Sequence, residues 1–259
     1  MLFAKLRYAN ALSLAHTTVK NLIVANWKMN PTSQKETKEI FAEIKSGIGS
    51  STAEIVICPP FIYLSVLNGL TLGAQNVFYE ERGAFTGEIS PAMLKDLGAE
   101  YVIIGHSERR TLFGVTDEII NKKIKKSLEV GLKIIFCVGE TAEERDAGKK
   151  NEVLERQLKI GLDGVNNLED INIAYEPVWA IGTGKNCSVE ETKTSIEFIR
   201  EVLARLNALA FGEARILYGG SVKSENSGSY IKDAGANGLL VGGASLKPED
   251  FVKIIKSAE

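Results

Sequence analysis

The chain has 259 residues, of which 44% are hydrophobic and 25% charged, and its formal net charge is -2. That is an ordinary globular composition, and the near-balance of charge argues against nucleic acid or an anionic membrane as partner. The three cysteines, Cys58, Cys137 and Cys187, are far apart and form no Cys-x-x-Cys pair, which argues against a disulfide framework and for a reducing compartment. No apolar run approaches the roughly 20 residues that a membrane-crossing helix needs.

The first eighteen residues, MLFAKLRYANALSLAHTT, carry Lys5 and Arg7, several hydroxyl side chains and no acid. Three readings compete: an organelle transit peptide, which has loosely this composition, a structured extension, or a start assigned upstream of the true one. The abrupt onset of an apolar run after Val19-Lys20-Asn21 favours the last, with a cytoplasmic protein as its corollary; a genuine transit segment would make the protein organellar. Residues 1–18 are therefore set apart as an N-terminal extension, and 19–259 are taken as one domain.

From there, short β-branched apolar runs recur: Leu22 to Asn26, Glu54 to Cys58, Thr71 to Asn76, Tyr101 to Gly105, Lys133 to Gly139, Ile171 to Glu176, Arg215 to Gly220 and Gly238 to Gly243. Most show little polar alternation, as expected of parallel strands buried on both faces. Stretches with helical spacing lie between them, among them Lys35 to Ile48, Asp117 to Gly131 and Val189 to Leu206. Eight strands alternating with helices over this length predict a closed (β/α)8 barrel. The alternative is an open doubly wound sheet, which usually carries a Gly-rich nucleotide loop after its first strand. Here that strand ends in Asn26-Trp27-Lys28-Met29-Asn30, without a glycine.

In such barrels the chemistry lies at the carboxyl ends of the strands. The first strand offers Asn26 and Lys28, the fourth His106-Ser107-Glu108-Arg109, the sixth Glu176, the seventh Gly219-Gly220-Ser221 and the eighth Gly242-Gly243-Ala244-Ser245. An amide, an ammonium, an imidazole and a carboxylate then converge on one mouth. Beside them two glycine pairs bare backbone N–H groups where barrels frequently bind phosphate. Each residue also has a plainer reading: Lys28 as a solvated lysine, His106 as a satisfied polar group, Glu176 as an ion-pair partner. Against these, Lys28 stands beside Asn26 at a strand end. His106 opens a helical first turn, whose dipole favours neutral imidazole, and Glu176 ends an apolar strand where desolvation raises basicity. Cys137, inside a strand pattern, reads as packing. Gly184-Lys185 is no phosphate-binding P-loop, because Trp179 and Asn186 stand where that motif needs glycine and Ser or Thr. One histidine outside the extension cannot build a multi-histidine metal site, and no Gly-x-Ser-x-Gly elbow is present.

Seven segments together resemble the triosephosphate isomerase family. They are Asn26-Trp27-Lys28-Met29-Asn30, Ala74-Gln75-Asn76-Val77, Gly83-Ala84-Phe85-Thr86-Gly87-Glu88, Gly105-His106-Ser107-Glu108-Arg109-Arg110, the Glu176 segment, Tyr218-Gly219-Gly220-Ser221 and Val241-Gly242-Gly243-Ala244-Ser245. They run in family order from about Asn21 to near the C-terminus. The resemblance implies interconversion of dihydroxyacetone phosphate and D-glyceraldehyde 3-phosphate, in glycolysis and gluconeogenesis, without metal or cofactor. It implies Glu176 as general base, neutral His106 as the group that polarises the carbonyl, Lys28 as the positive charge, Asn26 as an orienting amide and Glu108 as a partner of Lys28. Phosphate would fall to Gly182, Ser221, Gly242 and Gly243. The same likeness implies a lid hinged at Val178 to Ala180 and at Gly182 to Lys185, with Ile181 and Gly182 near its tip. It also implies a homodimer in which the loop from Phe78 to Thr86 enters the partner, with Thr86 approaching the partner's Asn26. Two departures stand out. Phe61 to Thr71 is shorter than the family pattern, and Cys187 follows the lid where a small residue is common. Two other classes compete with this one: a non-catalytic phosphate-binding barrel, which loss of Glu176, Lys28 or His106 would have favoured, and another barrel enzyme acting on a sugar phosphate, such as an aldolase or synthase, of which the Schiff-base aldolase type needs a lysine deep in the barrel.

Overall fold

Eight strands form in chain order: β1 (Leu22–Asn26), β2 (Glu54–Cys58), β3 (Thr71–Ala74), β4 (Ala99–Ile104), β5 (Lys133–Val138), β6 (Ile171–Tyr175), β7 (Ile216–Tyr218) and β8 (Gly238–Val241). Each pairs in parallel with the next, and β8 closes on β1 through Leu22↔Gly238 to Ala25↔Val241. The computed structural model describes residues 20–166, 168–181, 186–206 and 214–259. The expectations placed on residues 1–18, on Gly182 and on the second hinge, Gly182 to Lys185, lie outside the described residues. Around the barrel run α1 (Gln34–Ile48), α2 (Pro91–Asp96), α3 (Ser107–Phe113), α4 (Asp117–Glu129), α5 (Ala142–Asp146), α6 (Lys150–Gly161), α7 (Val189–Leu206), α8 (Ser227–Lys232) and α9 (Pro248–Ser257). The closed (β/α)8 barrel expected from the alternation is the fold.

The lack of polar alternation in the strands has a direct cause: both faces are buried, each in its own core. Leu22, Val24, Val56, Cys58, Tyr101, Ile103, Ile135, Cys137, Ala174, Leu217 and Leu240 pack with one another inside the barrel. Their neighbours Ile23, Ala25, Ile55, Ile57, Val102, Ile104, Ile134 and Phe136 pack outward with helix residues such as Phe41, Ile44, Ile120 and Leu158. Each fully buried Leu, Ile or Val stabilises by about 1.5–3 kcal/mol, and every strand except β3 contributes buried side chains to both cores. Gly73 in β3 makes room inside, because a Cβ there would stand 2.6 Å from the Cys58 Sγ.

Several of the helices start on side-chain caps. Ser33, Ser90, Thr116 and Thr141 each accept a backbone N–H of the first turn, and Thr141 with Glu144 forms a reciprocal capping box. Between β2 and β3 only a short 3-10 turn, Phe61–Val66, bridges the strands, consistent with the shortened Phe61 to Thr71 segment. The end of the barrel away from the candidate site is closed by Arg215. Its guanidinium donates to Glu54 Oε2 at 2.6 Å, Asn172 Oδ1 at 2.8 Å and Tyr101 Oη at 3.1 Å, and Tyr101 donates to Glu54 Oε1.

Candidate active site

Side chains alternate faces along a strand, so the residue two beyond an inward-facing one also faces inward. Val24 and Ala174 line the barrel interior. Asn26 and Glu176 are therefore the next inward positions, at the carboxyl ends of β1 and β6. Leu217 and Leu240 set Gly219 and Gly242 at the corresponding places on β7 and β8. The convergence of amide, carboxylate and glycine edges follows from strand parity.

Beyond Asn26 the chain turns sharply at Lys28, whose φ is +53°. For a non-glycine residue that conformation costs about 1–3 kcal/mol and persists only when its neighbours over-determine it. Here they do. The Lys28 N–H donates to Asn26 Oδ1 at 3.0 Å, and Gln75 Nε2 donates at 2.8 Å to both the Lys28 and the Cys58 carbonyl oxygens. The Lys28 ammonium pairs with Glu108 Oε1. A Cβ on Gly242 would stand 3.5 Å from Lys28 Cε, so the ammonium also lies beside the glycine edge of β8.

His106 is the N-cap residue of α3, and its Nδ1 accepts the Glu108 N–H at 3.2 Å. A ring nitrogen that accepts a backbone N–H carries no proton of its own, so in neutral imidazole the proton sits on Nε2. Nε2 lies 3.2 Å from Glu176 Oε1. The pair has the distance but not the alignment of a hydrogen bond, and Oε1 has no hydrogen-bond partner. The other carboxylate oxygen, Oε2, accepts the Ser107 N–H at 2.8 Å. Glu176 is 2% exposed, so one oxygen is held by the first turn of α3 and the other is a buried acceptor with nothing bound. A buried acceptor left unsatisfied is destabilising by about 1–3 kcal/mol, more for a charged group, and such atoms cluster at functional sites.

These groups face a cavity of about 470 Å³, lined by Asn26, Lys28, His106, Glu176, Ile181 and the chain ends of β7 and β8, including Gly219, Gly220, Ser221, Gly242 and Gly243. Glu108 is not among its lining residues and reaches the site through Lys28. Gly243 opens a 3-10 turn, Gly243–Leu246, and a Cβ there would meet nothing within 4 Å, leaving the backbone at that edge open to a ligand. Behind Glu176 a second 3-10 turn, Val178–Ala180, begins the segment expected to hinge. Its Trp179 Nε1 donates at 2.8 Å to Oε1 of the fully buried Glu140, which also accepts from Tyr175 Oη at 3.2 Å. Burial raises the Glu140 carboxyl above its usual range, against the opposing effect of those two donors.

A family model described as triosephosphate isomerase matches residues 21–258. A triosephosphate isomerase of Aquifex aeolicus (strain VF5) is 50% identical over 246 residues, covering 92% of this chain and all of that protein. Proteins of the same description from Alkaliphilus oremlandii (strain OhILAs) and Dictyoglomus thermophilum (strain ATCC 35947 / DSM 3960 / H-6-12) are 47% and 48% identical, covering 91% and 92% of this chain and 98% and 99% of theirs. The chain belongs to the triosephosphate isomerase family.

Of the residues expected at the site of this family member, Asn26, Lys28, His106, Glu176, Ser221, Gly242 and Gly243 line one cavity, and Glu108 stands behind Lys28. Cys137 is buried inside the barrel, and burial, then the nearby Glu176 charge, raises its thiol well above the usual value. Its side chain packs within the inner core. Sequence reading gave no role to the Ser107 N–H, to Gln75 or to Glu140. Gln75 directly follows β3, and a polar side chain at that place is the signal that marks it. Glu140 stands one residue beyond Gly139, the first residue after β5. The Ser107 contact is made by backbone and leaves no residue signature.

Proposed function

We propose that this chain interconverts dihydroxyacetone phosphate and D-glyceraldehyde 3-phosphate through an enediolate, the reaction of glycolysis and gluconeogenesis, and works in the cytoplasm. Family membership supports the reaction, and one observation carries the residue roles: a buried carboxylate oxygen without a partner lies 3.2 Å from an imidazole Nε2, in the cavity that Lys28 and the glycine edges share. Glu176 takes the proton from the carbon next to the carbonyl and returns it to the neighbouring carbon. His106 donates from Nε2 to the oxygen where negative charge develops and moves protons between the two enediolate oxygens. The Lys28 ammonium faces that charge, held by Glu108, and Asn26 fixes the turn that carries it. The phosphate group is bound by backbone N–H groups at Ser221, Gly242 and Gly243 and by the Ser221 hydroxyl.

The chain acts as a homodimer in this reading. Met29 is 89% exposed and Leu112 73%, and Phe85, Met93 and Phe113 are exposed with them. They sit on the segments after β1, β3 and β4; Phe85 lies in the loop Phe78 to Thr86 itself, where Phe78 packs on Tyr79 and Phe85. Large apolar side chains exposed on the segments after β1 and β4, which carry Lys28 and His106, and on the loop after β3 support a partner subunit there.

A coupled assay of D-glyceraldehyde 3-phosphate isomerisation tests the reading. The unaltered chain is expected to turn over without added metal, and Glu176→Gln to lower kcat by about 10²–10⁴-fold. A folded chain that binds phosphate but does not isomerise the substrate would refute it.

A further inference from the structure

We infer that Gln157, on the outer helix α6, is a positioning residue for Glu176, acting through the peptide group of Gly139. The inference rests on the proposed reaction and adds a residue that does not line the cavity.

Three observations meet at Gly139. First, Gln157 is 4% exposed and spends its amide on one residue: Oε1 accepts the Gly139 N–H at 2.8 Å, and Nε2 donates to the Gly139 carbonyl at 3.1 Å. In a strand, the N–H and C=O of alternate residues point to opposite sides. On one side of β5 the β6 chain supplies the partners, and beyond the end of both strands it still does: the Glu176 N–H donates to Val138 O at 2.8 Å and the Val178 N–H to Glu140 O at 3.1 Å. Gly139 lies between those two carbonyls, so its own polar groups face the other side, towards β4. The β4 chain has already left, since its pairing with β5 ends at Ile104↔Phe136. Side chains stand in for the missing strand. Arg110 Nη2 donates to Cys137 O at 3.1 Å, and Gln157 takes both groups of Gly139.

Second, Gly139 has no room to move towards β6. A Cβ on it would lie 1.7 Å from the Glu176 carbonyl oxygen and 2.6 Å from its carbonyl carbon. The two backbones are in direct contact at the residue that carries the base. Third, the segment 138–140 also carries the first hinge, through the Val178 N–H and through the Glu140 side chain that holds Trp179. A shift of the Gly139 peptide therefore displaces Glu176 and the Val178–Ala180 turn together, whereas Gly242 and Gly243 follow β8, a strand that pairs with β7 and β1 and not with β5 or β6. Displacing a reacting group by about 1 Å costs on the order of 10²-fold in rate.

The test is Gln157→Leu, which keeps most of the volume and removes both hydrogen bonds. It is compared with the unaltered chain for kcat, KM and inhibition by inorganic phosphate. The expected result is a fall in kcat of roughly 10- to 100-fold with the phosphate inhibition constant within about twofold, a split that general loosening of the barrel would not produce. A kcat within about twofold of the unaltered chain overturns the inference, and so does a loss of kcat matched by an equal weakening of phosphate binding. Should Gln157→Leu fail to fold, Gln157→Glu, which keeps an acceptor for the Gly139 N–H, is judged by the same split. Absence of turnover in the unaltered chain would overturn the functional reading and this inference with it, whereas equal turnover in both chains overturns this inference alone.

Discussion

Lys123 on α4 offers a measurable link between burial and stability. It is 4% exposed, and its ammonium donates at 2.8 Å to Asn76 Oδ1, a neutral acceptor. Burial, with repulsion from Arg109, pushes it down to about 8 from its ordinary 10.5, against a smaller opposing pull from Glu88. Below pH 8 both folded and unfolded chains hold the proton, and the folded chain carries the penalty of a buried charge. Between pH 8 and 10.5 the folded chain has released the proton and the unfolded chain has not, so this group makes the protein more stable as pH rises. Across the whole window the gain is about 3 kcal/mol. Lys123→Met removes the titrating group and leaves Asn76 Oδ1 without its donor, a loss of about 1–3 kcal/mol that does not depend on pH. Urea unfolding of both chains at pH 7 and pH 10, at one protomer concentration, should show the variant's relative stability falling by roughly 2.5 kcal/mol from the lower pH to the higher. Parallel pH dependence in the two chains would refute the reasoning, because Lys123 would then titrate alike whether folded or unfolded.

Two further outcomes follow from the ends of the barrel. Arg215→Met should lower stability by about 2 kcal/mol, since it strips Glu54 of a partner in a half-buried network, and so lower Tm by about 4–8 °C with kcat unchanged. Burial alone would raise the Glu54 carboxyl, but the hydrogen bonds from Tyr101 and Arg215 and the charges of Arg215 and Lys133 hold it below 4.5. Its contribution is therefore present above pH 4.5 and lost as pH falls through the folded value, so acid unfolding should begin at higher pH in the variant; a Tm within one degree of the parent would contradict this. Sedimentation should find a dimer whose turnover falls on dilution into monomer, and a monomer with full turnover would rule out the dimer reading.

The strands were legible because burial on two faces writes them as apolar runs, yet their ends were not. Thr71 to Asn76 reads as one run, but β3 stops at Ala74, where Gln75 turns back to the Lys28 and Cys58 carbonyls. Arg215 to Gly220 yields only Ile216–Tyr218, because Arg215 is drawn into the Glu54 network. Asn26, Lys28, His106 and Glu176 could be found because they carry distinctive chemistry at strand ends. Gly139 and Gln157 could not, since a side chain bonded to a main chain 18 residues away leaves no periodicity to read.

The alternation that seats the site also limits how the chain can change. Inserting a single residue within β6 would exchange Tyr175 and Glu176 between faces, driving a phenol into the mouth and a carboxylate into the apolar shell beneath the helices. Substitutions after the strands can retune the mouth one group at a time, but an insertion or deletion inside a strand disturbs mouth and core together. Changes of length are expected to be tolerated instead in connections such as that between β2 and β3, which holds only the short turn Phe61–Val66.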